Sequence, residues 1–170
     1  GAAKPFVRKG IICLIRLDED EIILHEGVIP QAVAERARLL SSLRMQVVAT
    51  HGLYPGADRV AEPLLDRYME KPSYSYLDQQ GVVNTFAAVT DPNDIETITR
   101  HLKDKKIYLA DGHHRLASSY AYRKQVKRSR ELRADDPANF HLTYLSNLAG
   151  EDLRILPTHR IWKPDVKPDV

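Results

Sequence analysis

The chain reads as an α/β domain of the α+β kind, a mixed sheet with flanking helices. Two observations predict this. Apolar runs of strand length, such as Ile11-Ile12-Cys13-Leu14-Ile15, are interspersed with segments whose apolar residues recur near the 3.6 period. These strands and helices do not alternate regularly enough to build repeated parallel βαβ units, so the sheet is expected to be mixed.

Element by element, Phe6 to Leu17 reads as a strand and Asp18 to Glu21 as a tight polar turn. Ile22-Ile23-Leu24 is a second strand ending at His25-Glu26-Gly27, and the two strands suggest a hairpin. Pro30 opens a helix at the position where its missing N–H does no harm. Val33, Ala34, Ala37, Leu40 and Leu43 form that helix's apolar stripe. Gln46 to Thr50 is expected as a strand and His51 to Gly56 as a loop. A helix from about Ala57 to Met69 contains Pro63, which kinks it or marks its true start.

Ser73 to Leu77 and Val82 to Thr90 read as strands around the turn Asp78-Gln79-Gln80-Gly81. Asp91-Pro92 starts a helix with Ile95, Ile98 and Leu102 on its apolar face; Asp91 suits the cap and Asp94 the positive end of the dipole. Lys106 to Ala110 is a short strand, and a helix begins near His113 and passes Tyr122. Arg133 to Asn139 is a polar loop. Phe140 to Leu148 and Leu153 to Leu156 are the last strands, joined around Gly150-Glu151-Asp152. The division expected is a disordered or extraneous start at 1–5, one domain at 6–162 and a polar tail at 163–170.

A length of 170 residues suits one domain with a real core. An apolar share of 43% with 28% charged residues is that of an ordinary globular protein. No run approaches the roughly 18 uncharged apolar residues of a membrane span. The N-terminus shows no basic segment followed by an apolar one, so no secretory signal is expected. Cys13, the single cysteine, lies inside an apolar run and reads as a small core residue, which suits a reducing, cytoplasmic setting.

A formal charge of +2 does not by itself imply nucleic acid. Arg115, Arg123, Lys124, Lys127, Arg128, Arg130 and Arg133 face only Glu131 along that stretch. They read as a solvated helix face and loop, because aromatic side chains are not interleaved as a stacking platform requires. Tyr120 and Tyr122 are explained as packing.

The segment that carries chemistry is Asp111-Gly112-His113-His114-Arg115, where a strand turns straight into a helix. Such a turn aims free backbone N–H groups at one point, and the helix dipole favours an anion there. Gly112 admits a ligand close to the backbone, and Arg115 offers a planar, permanently charged fork suited to phosphate oxygens. Asp111 would repel phosphate directly, so it holds a divalent cation, caps the helix or takes a proton. His113 and His114 can donate to phosphate or relay a proton near neutral pH. Adjacent histidines diverge on a helix, unlike the same-face pair of zinc proteases, so zinc is not expected from them.

Two further segments are candidates. His25-Glu26 stands at a strand end, where an acid and a base can act as general base and orienter; the bland alternative is an exposed loop carboxylate. Pro157-Thr158-His159-Arg160 follows the last strand and offers a hydroxyl, an imidazole and a guanidinium; the alternative is a surface strand terminus. His51, His101 and His141 read as structural. The chain has no P-loop, nucleophile elbow or dinucleotide fingerprint.

Ile107 to Arg115, followed by Ile155-Leu156-Pro157-Thr158-His159-Arg160, resembles the uncharacterised bacterial and archaeal family labelled domain of unknown function 1015. The order Gly10 to His25-Glu26 and the helix with Glu35-Arg36 fit that family as well. Its members are usually longer, so the chain is expected to be the core of a larger architecture. The Asp-Gly-His-x-Arg turn is similar to that of the ParB and sulfiredoxin superfamily, where the turn holds nucleotide phosphates. The resemblance therefore implies a ParB/sulfiredoxin-like fold.

Sulfiredoxin carries a cysteine in this turn and this chain has none, so sulfinic-acid repair is not expected. Nor is there a helix-turn-helix domain of the ParB kind. Free serine kinases are the mechanistic relatives the resemblance suggests, and by position Glu26 matches their base and Asp111 their turn aspartate. The expected activity is thus a nucleotide-dependent small-molecule kinase acting on free serine or a similar hydroxyl metabolite. Glu26, Asp111 and His113 would be catalytic, with Gly112, His113, His114, Arg115, His159 and Arg160 on the phosphates. Mg2+ with ATP or ADP is the expected cofactor, with Asp111 on the metal. The alternative is a non-catalytic, nucleotide-responsive module that binds nucleic acid or protein. Nucleotide and a small-molecule substrate are the expected partners; nucleic acid and membrane are not.

Overall fold

A computed structural model describes residues 7–150 and Leu153. Five strands form one mixed sheet: β1 (Ile11–Arg16), β2 (Ile22–Ile23), β3 (Thr50–Tyr54), β6 (Ile107–Asp111) and β7 (Phe140–Asn147), in the order β1-β7-β3-β6-β2. β1 runs antiparallel to β7 and β3 antiparallel to β6, whereas β3–β7 and β2–β6 are parallel. The helices are α1 (Pro30–Leu43), α2 (Ala61–Met69), α3 (Pro92–Leu102) and α4 (His113–Ser129). β4 (Tyr74–Leu77) and β5 (Val83–Phe86) make a separate antiparallel hairpin. No helix among the described residues is long and apolar enough to cross a membrane.

Local chemistry explains most of these elements. Pro30 stands at the first turn of α1, and Arg44 ends the helix in the left-handed region. Ala37 is buried while Val33 and Leu40 are half-buried, so only part of the predicted stripe reaches the interior. Pro63 falls in the first turn of α2, marking its start rather than a kink. The Asp91 carboxylate accepts from the Asn93 N–H at 2.8 Å, capping α3 as expected. In the β4–β5 turn, Asp78 accepts from the N–H groups of Gln80 and Val82, and Gly81 takes a φ of 79°. The Val82 N–H first, then the Asn84 amide and the Gln80 N–H, hold the Asp78 carboxyl below the usual carboxylate range.

The core lies between the sheet and α4, where Leu109, Leu116 and Leu145 are each 1% exposed. Burying a leucine that completely contributes about 1.5–3 kcal/mol. Ile15, Leu17, Ile22 and Tyr54 complete the cluster, and Cys13 and Tyr120 pack against it. Burial pushes the Cys13 thiol up to about 11, so it is a packed residue and not a nucleophile at neutral pH. On α4, Lys124, Lys127 and Arg128 are exposed. Arg123 instead reaches inward to the Asn139 side chain at 3.0 Å and the Leu17 carbonyl at 2.8 Å.

Two expectations are corrected. The hairpin between β1 and β2 does not form, and the strands lie on opposite edges of the sheet. β7 offers β1 a six-residue register, whereas β2 has only two residues, so the long-range partner prevails over the local turn. The second correction concerns 46–56. The strand spans Thr50–Tyr54, and Val47 and Val48 are exposed in the connection before it. Gln46 takes no strand position; its side-chain amide donates to the Phe140 carbonyl and accepts from the Leu142 N–H, at 2.9 and 2.8 Å. Gly52 suggests a loop but is buried between strands, where a Cβ would meet Ile107 Cγ2 at 2.8 Å and Leu145 Cδ2 at 2.9 Å. The expected strand at 153–156 and the segments 1–5 and 163–170 fall outside the described residues, Leu153 apart.

Candidate functional site

β6 carries Asp111 to the end of the sheet, and Gly112 alone makes the turn into α4. Gly112 has φ 98° and ψ 27°, a conformation that L side chains rarely adopt. A Cβ there would lie 2.6 Å from Thr50 Cγ2 and 2.8 Å from Arg115 Nη2. Gly112 is the N-cap and supplies no side-chain cap. The first-turn N–H groups of His113, His114 and Arg115 therefore have no intrahelical partner and favour an anion.

Beneath the turn runs a buried polar chain. Thr50 Oγ1 is 3.1 Å from both His141 Nε2 and Thr143 Oγ1, and Ser119 Oγ is 2.8 Å from His141 Nδ1. One consistent assignment has Ser119 donating to Nδ1 and Nε2–H donating to Thr50, which leaves the ring neutral. Burial, with Arg115 adding to it, pushes His141 down to about 4. This chain fixes the floor against which Gly112 packs, and it accounts for His141 as structural. His101, with its side chain 6% exposed beside Asp58, has the same character.

Asp111 is exposed, and its Oδ2 accepts from Arg115 Nη2 at 2.6 Å. Of the three roles left open by the sequence, capping is thus not the one adopted. The pair holds the guanidinium at the mouth of the turn, and a guanidinium carries further N–H donors besides the one that Asp111 takes. His114 Nε2 accepts from the Ile29 N–H at 3.0 Å. This bond ties the segment after β2 to α4, so that Glu26 stands over the turn. With Nε2 accepting, a neutral ring has its donor on Nδ1.

His113 has a side chain only 3% exposed, and its Nδ1 lies 3.5 Å from Glu26 Oε2. Its ring meets that of His25 edge-on, with centroids 4.5 Å apart. Burial holds His113 below the usual imidazole range, with His25 adding to the shift and Glu26 and Asp111 opposing it. The ring is consequently neutral at pH 7 and offers one donor and one acceptor. His51 pairs with Asp111 across β3 and β6, and its Nε2 meets Ser146 Oγ at 2.8 Å.

Glu26, Arg36 and the five residues Asp111 to Arg115 line one open cleft of about 280 Å³. Ligand sites run from about 300 Å³ upward, so this cleft suits a compact polar group such as phosphate. The structure thus brings together Glu26, Asp111, Gly112, His113, His114 and Arg115. His159 and Arg160 lie outside the described residues. Arg36 joins the site although the sequence marks it only as part of the family resemblance, with Glu35, and not as a site residue. His25 had been paired with Glu26, but its contact with His113 depends on tertiary structure.

The elements define a mixed α/β domain whose sheet delivers a helix N-terminus, a glutamate and paired basic groups to a small open cleft. The chain belongs to the family described as "Protein of unknown function (DUF1015)", whose model matches residues 2–169. No curated protein and no solved structure matches it.

Proposed function

We propose that the domain is ParB/sulfiredoxin-like in fold and acts in the cytoplasm as a nucleotide-dependent small-molecule kinase, with free serine or a similar hydroxyl metabolite as acceptor. The observation that carries this reading is the position of Glu26. It stands in the same cleft as the Gly112 turn although half of the chain separates them in sequence. A carboxylate beside an anion-receptive helix end is what a hydroxyl acceptor and a phosphoryl donor both require.

In this reading the N–H groups of His113, His114 and Arg115 receive the phosphates, and the guanidiniums of Arg115 and Arg36 neutralise their charge. Glu26 takes the acceptor's hydroxyl proton as the new bond to phosphorus forms, and the nucleotide leaves with its own oxygen. Mg2+ bound with ATP or ADP supplies further charge neutralisation, and the exposed carboxylate of Asp111 is the oxygen ligand suited to it. Asp111 also keeps Arg115 aimed at the turn. Neutral His113 supports Glu26 through the 3.5 Å contact. Catalysis of this kind is positioning and electrostatics, without a covalent protein intermediate.

The test is phosphate transfer from ATP or ADP with Mg2+ to a panel of amino acids and small hydroxyl metabolites. Transfer abolished by Glu26→Gln while nucleotide still binds is the expected result. Nucleotide binding with no transfer to any acceptor would instead identify the non-catalytic module. No binding at all would refute both.

A further inference from the structure

We infer that His25, Glu26 and His113 form a binding site for a divalent transition metal such as Zn2+ or Co2+, separate in chemistry from any Mg2+ at Asp111. One ligand atom from each residue lies within 4.8 Å of the other two. Glu26 divides its carboxylate between the rings: Oε1 is 3.8 Å from His25 Nε2, and Oε2 is 3.5 Å from His113 Nδ1. Metal–nitrogen and metal–oxygen bonds are about 2.0–2.2 Å, so tetrahedral ligand atoms stand roughly 3.4 Å apart. The two contacts to Glu26 are within a few tenths of an ångström of that spacing, and no two of the three donors stand farther apart than 4.8 Å.

The second observation is the state of His113. Its side chain is only 3% exposed, yet among the described residues Nε2 has no hydrogen-bond partner. The contact from Nδ1 to Glu26, at 3.5 Å, is at the outer limit of a hydrogen bond. Leaving a buried imidazole satisfied so poorly is unfavourable. A cation bound between the ring and the carboxylate takes Nδ1 as its ligand in place of that long contact, with the ring's proton on Nε2.

Donor type selects the ion. Two imidazoles and one carboxylate favour Zn2+, Co2+ or related metals, whereas Mg2+ prefers an all-oxygen shell. Three protein ligands leave a position for water or for an anion in the cleft that Glu26 lines. The adjacency of His113 and His114 is irrelevant to this site, because the second imidazole comes from the end of β2. The inference does not rest on the kinase reading, but the two share Glu26. A metal-bound Glu26 is not a free base, so a transition metal at this site opposes the proposed transfer.

The experiment is titration of the metal-free full chain with Co2+, without nucleotide, followed by the visible bands of four-coordinate cobalt and by competition with Zn2+. The expected result is saturation at one ion per chain, with affinity at least tenfold weaker in His25→Ala and in Glu26→Gln. His25 is 56% exposed, so its replacement leaves the fold intact, as circular dichroism will verify. Retained Co2+ affinity in His25→Ala, absence of four-coordinate bands, or loss of binding in Asp111→Asn alone would overturn the assignment. Phosphate titration in the presence of a chelator reports on the Gly112 turn separately, so failure of one idea is distinguishable from failure of the other.

Discussion

Replacing Gly112 by alanine tests the geometry on which the site depends. The new Cβ would stand 2.6 Å from Thr50 Cγ2 and 2.8 and 2.9 Å from Arg115 Nη2 and Nε. The guanidinium can move, at the cost of an exposed ion pair worth at most about 1 kcal/mol. Thr50 cannot move as easily, because it is fully buried and its hydroxyl is bonded to His141 and Thr143. Alanine in the left-handed region costs about 1–2 kcal/mol, and overpacking at Thr50 adds about 1–3. A stiffer unfolded chain returns about 0.4–1 kcal/mol. The net expectation is a loss of about 2–4 kcal/mol, read from the midpoint of urea unfolding at unchanged slope. Gly81 provides the control: its φ is 79°, but nothing among the described residues lies within 4 Å of its Cβ position. Gly81→Ala should therefore cost only about 1 kcal/mol. Equal losses at the two glycines would refute the claim that Thr50 shapes the turn.

Other consequences follow from the same structure. His141 is held neutral, so the unfolded state binds its proton first as pH falls below about 6.5. Its contribution is complete above that pH and is lost progressively down to about 4, a loss of about 2–3 kcal/mol by pH 4.5. Unfolding curves at pH 7 and 4.5 should show it, and His141→Gln should remove that part of the pH dependence. Asp111→Asn removes a charge that competes for Arg115. Binding of inorganic phosphate without Mg2+ should tighten by roughly 1.5- to 5-fold on calorimetric titration, the range of an exposed pair. Weaker binding would give Asp111 a direct role on the anion. Leu109→Ala should cost about 2–5 kcal/mol in the same unfolding assay, since the side chain is 1% exposed in the core.

The legible parts of the fold were those specified by local chemistry. Pro30, Asp91 and the Asp78 turn act on their own backbones, and each sits where its residue type requires. The errors arose where distant partners decide. The turn at Asp18–Glu21 looks like a hairpin, but β7 and β6 compete successfully for β1 and β2. Gly52 looks like a loop residue because sequence does not reveal that Ile107 and Leu145 close over it.

The site divides along the same line. The Asp111–Arg115 turn is one contiguous segment, so its strand-to-helix geometry could be read directly. The convergence of Glu26 and His25 on His113 depends on the parallel pairing of β2 with β6 and on the bond from Ile29 to His114. Arg36 belongs to the Glu35-Arg36 segment of the resemblance, but its place in the cleft follows from α1 packing alongside α4.

The central claim is that the Gly112 turn binds phosphate through α4's first N–H groups and Arg115. Calorimetric titration of ATP and ADP into the wild-type chain and Arg115→Ala tests it most directly. Charge-assisted hydrogen bonds are worth about 1.5–3 kcal/mol, so the variant should bind roughly 10- to 100-fold more weakly. Equal affinity in the two proteins would contradict the claim.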